Sequence, residues 1–541
     1  MNQRTRLIVD SLLLIGLCCF LFFFGLGHFG LVGADEPRYA QIAREMLARH
    51  DWITPTLGGK PWLEKPVLYY WQAMIAYSIF GVSDWVARLP SAFDATLMVW
   101  GVYLFLSRIG SKTEYAGFPL DGALFMASAA GVIGFAHAAS TDMPLAATFT
   151  LGMLAWYAWR ESGTKSYLAL FYFFIGLGTL AKGPVAPFLA AAIIAIFTVA
   201  THDWKIIRRT PWLPGILLFC LVTLPWYIAV QHRNSEFFHV FILEHNLARF
   251  GTNLYHHTEP FWYYIPVVLL GLMPWIIFIV LAFIESVRTW ISRSQILPPE
   301  DVLNMFLLIW LMLPIFFFSI SKSKLPGYIL PALPAGTLLL ADYVRRKVTF
   351  IERPRNLETA LHSIVSALPV VPALMIQYVL VQHRLPWGRA LLISCLIALG
   401  LAIAIGATLK KYGLRMLRTT TLIPVVLALA FVVRFGSPAL DETLSARPLA
   451  NDLIRVENSF AEKPPPIAVL RLSREDEYGL HFYLDTPILR YELGEVPAQE
   501  HIVVVPRELQ ERVMKRAAGR QVVHLGTFAP RALEYFWVSS P

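Results

Sequence analysis

Apolar residues run along this chain in blocks of roughly 17 to 25, each long enough to cross a hydrocarbon core of about 30 Å as a helix. The blocks lie near 8–30, 89–107, 117–137, 143–159, 166–181, 184–200, 212–230, 262–284, 302–319, 325–343, 361–381, 390–409 and 419–434. The pattern predicts a polytopic α-helical membrane protein of about thirteen spans. The first block follows Arg4 and Arg6, as a signal peptide would. It lacks an Ala-x-Ala cleavage pattern and further spans follow it, so a retained first helix is expected. With the N-terminus inside, the basic turns fall on one side: Arg108/Lys112, Arg160/Lys165, Lys205/Arg208/Arg209, Arg288/Arg293, Arg345/Arg346/Lys347 with Arg353/Arg355, and Lys410/Lys411/Arg415/Arg418. The opposite side receives two long connections, 31–88 and 231–261, and the tail 435–541.

The tail changes period. Ile467–Leu472, Ile502–Val505, Gln521–Leu525 and Leu533–Val538 have the short β-branched or alternating pattern of strands, and Arg507–Ala518 has helical spacing. Turn-rich stretches such as Glu462-Lys463-Pro464-Pro465-Pro466 separate them. A small α/β domain at 435–541 follows, after a membrane module at 1–434. It has neither a Gly-rich phosphate loop nor clustered Cys/His ligands, and a lid or support is its expected role.

Composition narrows the class. Of 541 residues, 56% are hydrophobic and 15% charged, against about 25% charged in ordinary soluble domains. A disordered chain, a secreted disulfide scaffold and a DNA-binding domain all fit poorly. The net charge of +9 is scattered among short turns rather than gathered on one face, which marks topology and no nucleic-acid partner. Cys18, Cys19, Cys220 and Cys395 sit inside apolar blocks without CxxC spacing, so no disulfide framework or thiolate metal site is expected.

Chemistry is therefore sought in the outer connections. Asp35 and Glu36 precede Pro37, Arg38 and Tyr39, and Ile42, Ala43, Met46 and Leu47 then share one face of a helix expected to lie along the membrane surface. A capping role for Asp35 or Glu36 is one account. In the other, a carboxylate at a membrane-facing cavity orients or deprotonates an acceptor or balances charge at a sugar carbon; the two can coexist. Lys65 is a point charge suited to a phosphate oxygen and Arg38 a fork that holds one bidentately, although pairing or snorkelling would also account for Glu64 and Lys65. Asp142 sits at a turn between spans, where an N-cap is the plain alternative, and Lys182 has almost no soluble loop around it and wants a partner or a ligand phosphate.

The second long connection holds His232, His239, Glu244, His245, Arg249, His256 and His257 without a His-Glu-x-x-His pattern. Glu64 with His245 is the candidate divalent-cation pair, zinc being one such ion, and no cofactor is otherwise required. Ser321-Lys322-Ser323-Lys324 adds two cations on the same side. Cations beside an apolar groove suit a donor carried on a membrane lipid phosphate, and basic side chains would stabilise the departing phosphate.

The segments Ala34-Asp35-Glu36-Pro37-Arg38-Tyr39, Lys60-Pro61-Trp62-Leu63-Glu64-Lys65-Pro66, Leu180-Ala181-Lys182-Gly183-Pro184 and Ser321-Lys322-Ser323-Lys324-Leu325-Pro326-Gly327-Tyr328 carry a family resemblance. The chain resembles the GT-C superfamily of lipid-phosphate-dependent glycosyltransferases, and within it the bacterial undecaprenyl phosphate-aminoarabinose transferases of lipid A, relatives of protein mannosyltransferases. The resemblance covers nearly the whole chain. It implies a GT-C fold with a periplasmic C-terminal α/β domain and a multi-pass enzyme of the bacterial inner membrane, expected to act as a monomer among membrane lipids. Such an enzyme would move 4-amino-4-deoxy-L-arabinose from undecaprenyl phosphate to a lipid A phosphate. On this resemblance Asp35 is the central catalytic carboxylate, Lys65 and Arg38 bind the donor phosphate, and Tyr39, Glu64, Asp142, Lys182, His245 and Tyr328 shape the cavity or its polar network.

Inversion by direct displacement is the simplest expected mechanism, because no second carboxylate is placed as a covalent nucleophile. A sibling transferase acting on protein hydroxyls or another envelope glycan is the nearest rival. A lipid or sugar transporter is the rival of a different class, disfavoured by the absence of paired internal repeats and by polar residues gathered at one mouth.

Overall fold

The computed structural model describes residues 3–110, 115–248, 259–292, 299–380, 386–458, 460, 465–493 and 496–541. Lys112, Arg249, His256, His257, Arg293, the turn residues Glu462, Lys463 and Pro464, and the end of the block 361–381 lie outside the described residues. The chain divides into two compact units. One comprises Met1–Phe24, Leu63–Tyr69 and Arg88–Arg434, and the other Gly25–Trp62, Tyr70–Ala87 and Phe435–Pro541.

Each apolar block coincides with a helix or a broken helix, from Gln3–Cys18 continuing through Cys19–Phe23 to Trp387–Tyr412 and Leu417–Phe431. The span count differs from the expected thirteen. Among the described residues, seven helical stretches are long and apolar enough to cross a membrane, or up to nine if each bent pair is one span. Four physical features account for the difference, one being that Lys165–Lys182 is only 18 residues long and carries a lysine at each end. Helix Asp142–Ser162 is buried along most of its length and carries Thr148, Thr150, Trp156, Tyr157 and Trp159; a helix enclosed by its neighbours needs no lipid-like composition. Val185–Thr201 has only 17 residues. Trp387–Leu444 forms one run of 58 residues that merges two blocks, joined by the turn Gly413–Met416. The bent pairs are Phe118–Ala127 with Ala130–Ala136, at 59°, and Phe261–Gly271 with Ile276–Ser292, at 118°.

The second unit contains two sheets. A hairpin joins β1 (Thr56–Leu57) to β2 (Lys60–Pro61), and Gly58 and Gly59 at its turn have φ +61° and +74°. Two consecutive residues of positive φ make the type I′ turn that matches strand twist. The larger sheet is built from β3 (Ile467–Val469), β4 (Leu489–Arg490), β5 (His501–Pro506), β6 (Val522–Phe528) and β7 (Leu533–Val538), in the order β4-β3-β5-β7-β6. β3 runs parallel to β4 and β5, whereas β7 pairs antiparallel with β5 and β6. The two-residue period of a strand divides this sheet cleanly. Ile467, Val469, Ile502 and Val504 pack with Leu449, Leu453 and Leu480 from helices Arg447–Glu457 and Arg474–Leu484. Ala468, Val503 and Val505 pack with Val513 of helix Gln510–Arg516. With both faces covered, β5 is apolar throughout its centre, which is why it lacks alternation.

Segments far apart in sequence close this unit. Arg447 donates to Asp84 at 2.8 Å, to Asp441 at 2.7 Å and to the carbonyls of Gly27 and His28 at 3.1 Å. Tyr483 donates its hydroxyl hydrogen to Asp84 at 2.8 Å while accepting from Leu31 N–H at 2.7 Å. Helix Asp35–Ala48 was expected on the membrane surface. Its Ile42, Ala43 and Met46 are fully buried, and Gln41 with them. Helix Arg474–Leu484 packs against this helix, tied by Arg44 to the Phe482 carbonyl at 2.9 Å and to Asp485 at 2.7 Å.

Candidate functional site

In the unit that contains the first long connection, Gly33 at φ +66° turns the chain into helix Asp35–Ala48. The N-cap is Ala34, whose side chain makes no cap bond. Neither acidic residue is therefore the cap. Glu36 is buried and accepts from Val32 N–H at 2.9 Å, whereas Asp35 reaches one turn forward to form an ion pair with Arg38. The Asp35 side chain is 57% exposed and that of Arg38 only 12%.

Arg38 is enclosed by aromatic rings. Its guanidinium carbon lies 5.1 Å from the ring centroids of both Tyr39 and Trp62 and 5.6 Å from that of Tyr478. Each contact falls within the range in which a cation is drawn to a ring face. The hairpin brings Trp62 into place: Trp62 N–H donates to the Pro55 carbonyl at 2.8 Å. Its turn is gripped by Glu45, which accepts from Gly58 N–H at 2.7 Å, Gly59 N–H at 3.1 Å and the Thr56 hydroxyl at 2.8 Å. Tyr39 packs edge to face on Tyr70, their centroids 6.2 Å apart. Tyr478 comes from the C-terminal sheet domain, and no local pattern in the sequence could have joined it to Arg38.

The membrane unit holds the second cluster. Helices Asp142–Ser162 and Lys165–Lys182 form a hairpin closed by Gly163 at φ +70°. Asp142 thus starts one helix where Lys182 ends the other, the placement each helix dipole favours. The two side chains form an ion pair and are 19% and 12% exposed. Lys182 Nζ also lies 4.8 Å from the Tyr328 ring centroid. Asp142 is the first helical residue after the Thr141 N-cap and makes no cap bond, so its carboxylate goes to Lys182. Gly327 permits this approach, because a Cβ there would stand 2.6 Å from the carboxylate carbon. Behind Tyr328 lies Phe318 at 5.1 Å, and the hydroxyl of Tyr264 bonds to Leu325 at 3.2 Å.

Glu64 and Lys65 are half-buried on the segment of chain that belongs to this unit. His245 Nε2 lies 3.8 Å from Glu64 Oε1. A catalytic zinc site ordinarily takes three protein ligands, and among the described residues no three His, Cys, Asp or Glu side chains converge. Glu64 and His245 supply two potential ligands among the described residues, and no step is assigned to a metal. Of the two cations at 322 and 324, Lys322 is exposed. Lys324 is buried and donates to the Ser321 carbonyl at 2.6 Å, which ties it to its own turn.

Asp35, Arg38 and Tyr39 therefore gather in one unit, and Asp142, Lys182 and Tyr328 in the other beside the separate Glu64–His245 pair. Sequence reasoning missed Tyr478 and the spatial requirement at Gly327. It assigned Trp62 to a family motif without a role.

A family profile described as dolichyl-phosphate-mannose-protein mannosyltransferase matches residues 10–241. That stretch takes in Asp35 through Lys182 and ends before His245 and Tyr328. An undecaprenyl phosphate-alpha-4-amino-4-deoxy-L-arabinose arabinosyl transferase of Yersinia enterocolitica is 31% identical over 314 residues, covering 57% of this chain and 54% of that protein. Its counterpart in Serratia proteamaculans is 31% identical over 317 residues, with the same coverage of 57% and 54%. The chain thus matches about half the length of these curated relatives. Among solved structures, ArnT from Cupriavidus metallidurans bound to undecaprenyl phosphate superimposes with a TM-score of 0.77 at 20% identity, over 97% of each chain. Its apo form gives 0.74 at 21% identity, over 99% of this chain and 98% of that one. At these identities the likeness establishes the fold.

Proposed function

We propose that this chain, which belongs to the GT-C glycosyltransferases related to the aminoarabinose transferases, transfers 4-amino-4-deoxy-L-arabinose from undecaprenyl phosphate to a phosphate group of lipid A. The observation that carries the reading is the Arg38 cradle. A guanidinium already oriented by three rings and flanked by an exposed carboxylate presents a fork to a phosphate with little ordering left to do.

In this reading Arg38 and Lys65 bind the donor phosphate and stabilise the charge it gains as the sugar leaves, an interaction stronger in the transition state than before it. Asp35 is the central catalytic carboxylate. A phosphate acceptor has a second pKa of about 6 and is largely anionic at pH 7, so it scarcely needs deprotonating. Asp35 then positions the acceptor and organises charge at the anomeric carbon. The acceptor oxygen forms the new bond as the bond to the donor phosphate breaks, with inversion, and the leaving phosphate keeps the electron pair. Asp142, Lys182, Tyr328, Glu64 and His245 in one unit, and Tyr39 in the other, supply the polar network of this reading.

The reading places 1–434 as the membrane module, with an inside N-terminus, and the connections 31–88 and 231–261 with the domain 435–541 in the periplasm of an inner-membrane enzyme that works as a monomer. Masking lipid A phosphates with an aminosugar lowers the negative surface charge that attracts cationic peptides, so resistance to polymyxin and related peptides is the expected phenotype.

A second reading is favoured by the mannosyltransferase profile over residues 10–241: a protein or glycan hydroxyl as acceptor. An alcohol needs base catalysis by Asp35 far more than a phosphate does. The two are separated by mass spectrometry of lipid A from a bacterium that makes the donor but lacks its own transferase, complemented with this chain. One added aminopentose, lost in well-expressed Asp35→Asn, is expected. An increment that persists in Asp35→Asn refutes the role of that carboxylate. No increment with inserted protein and demonstrated donor refutes the lipid A acceptor and favours the hydroxyl.

A further inference from the structure

The membrane unit contains a cavity of about 440 Å³ that the reaction does not use. Its walls include Trp156, Phe171, Tyr172, Ile194 and Ala195, and they are almost wholly apolar. Phe171 and Tyr172 lie in the first half of helix Lys165–Lys182, and Ile194 and Ala195 in the second half of Val185–Thr201. The cavity therefore sits toward the end of these helices away from Lys182 and Gly183.

Its floor is a short connecting helix, Lys205–Arg209, whose Ile206 and Ile207 line the cavity. The same five residues carry Lys205, Arg208 and Arg209, all exposed and, among the described residues, in no ion pair. The neighbouring acid, Asp203, faces Arg160 at 3.5 Å, and Arg160 also pairs with Glu161. Trp204 and Trp212, which bracket the helix and also line the cavity, are 55% and 51% exposed. Indole rings of this kind mark the level where hydrocarbon gives way to headgroups.

We infer that this cavity is a binding site for an anionic glycerophospholipid, with an acyl chain among the apolar walls and the headgroup phosphate at Lys205, Arg208 and Arg209. Two features favour that occupant over a neutral one. The volume falls in the range of pockets that hold a discrete ligand, roughly 300–1,000 Å³. The helix whose Ile206 and Ile207 line the cavity carries three exposed cations that, among the described residues, have no acidic partner, and basic pockets between membrane helices select phosphate headgroups. The inference does not depend on the transfer reaction proposed above, and it can fail without that reading failing.

The test is native mass spectrometry of the full chain in detergent, offered phosphatidylglycerol or phosphatidylcholine. Retention of phosphatidylglycerol well above phosphatidylcholine is expected. Arg208→Gln with Arg209→Gln should weaken it by roughly fivefold for each cation removed. Ala195→Trp, on a wall position whose side is exposed, should fill the cavity and abolish retention, and the smaller Ala191→Leu should weaken it. Lys410→Gln with Lys411→Gln, on another basic turn, should change nothing. Equal retention of the two lipids, equal loss in the Lys410/Lys411 variant, or full retention in both cavity-filling variants would each overturn the inference. Aminosugar transfer to lipid A is not needed to read any of these outcomes.

Discussion

Replacing Gly327 with alanine tests whether close approach of backbone to carboxylate holds the membrane-unit cluster together. The added methyl would stand 2.6 Å from Cγ and Oδ1 of Asp142 and 2.8 Å from Oδ2, where ordinary contact begins at 3.4 Å. The carboxylate must retreat by nearly an ångström, and it can do so only by dragging Lys182 off the Tyr328 ring or by parting from it. Overpacking of a tight site costs about 1–3 kcal/mol. The ion pair adds toward about 1 kcal/mol, since both side chains retain some exposure and the pair is screened accordingly. The expected loss is about 2–4 kcal/mol. The assay is resistance of purified protein to denaturation in detergent for Gly327→Ala, Asp142→Ala and the double variant. If the methyl collides with the carboxylate, Gly327→Ala should cost far less once Asp142 is alanine, with a coupling of about 1–3 kcal/mol. A Gly327→Ala penalty that is the same within about 0.5 kcal/mol in both backgrounds would refute the argument.

Three further outcomes are expected. Trp62→Ala and Tyr478→Ala should each remove a cation–π contact with Arg38 worth about 0.5–2 kcal/mol. Both should raise the KM for donor more than they lower kcat, with Tyr478→Phe close to wild type; unchanged donor KM in both alanine variants would sink the cradle. Arg447→Met strands Asp84 and Asp441 and should cost about 3–5 kcal/mol, visible as rapid proteolysis of the tail in membranes. Burial pushes the His481 imidazole below its ordinary value of 6.5, only partly offset by Glu45 at 3.7 Å. The unfolded chain then takes up that proton first, so stability should fall as pH drops below about 6.5. Glu534 acts at lower pH. The Thr527 hydroxyl first, with His524 and Arg507, holds its carboxyl at about 2, so its contribution is present above pH 4.5 and lost toward pH 2. A thermal unfolding series in pH should show the upper slope vanish in His481→Gln; a slope unchanged in that variant contradicts the assignment.

The apolar blocks were legible because lipid imposes a local rule, a long uncharged stretch, on every span that faces it. The rule weakens for Asp142–Ser162, which faces protein, and span counting by apolarity therefore falls short of the block pattern there. Leu533–Val538 was visible from its aromatic run and the core of β5 from its β-branched run, whereas β4, with two residues, and helix Arg474–Leu484 left no clear period. The candidate residues stood out one by one: Arg38, Asp142 and Lys182 are charges on largely buried side chains, and the cost of charge there singles them out. Their partners did not. Asp142 finds Lys182, and Arg38 finds Tyr478, through packing between segments far apart in the chain. The N-cap reading of Asp35 failed for a local reason, since Ala34 occupies the cap and leaves the carboxylate to Arg38.

The threading of the second unit also sets a timetable. Gly25–Trp62 and Tyr70–Ala87 leave the ribosome early, yet the residues that complete them, Asp441, Arg447, Tyr478 and Tyr483, follow only after Arg88–Arg434 has been made. At roughly 5–20 residues per second, that interval lasts on the order of tens of seconds. Throughout it Arg38 lacks the Tyr478 ring, Arg44 lacks the Phe482 carbonyl, and Asp84 lacks the Arg447 guanidinium. A nascent chain halted at residue 434 would carry an unfinished first connection as well as lacking its tail. The last hundred residues act as the closing clasp on the first ninety, and quality control in the membrane has its longest opportunity to intervene just before that clasp shuts.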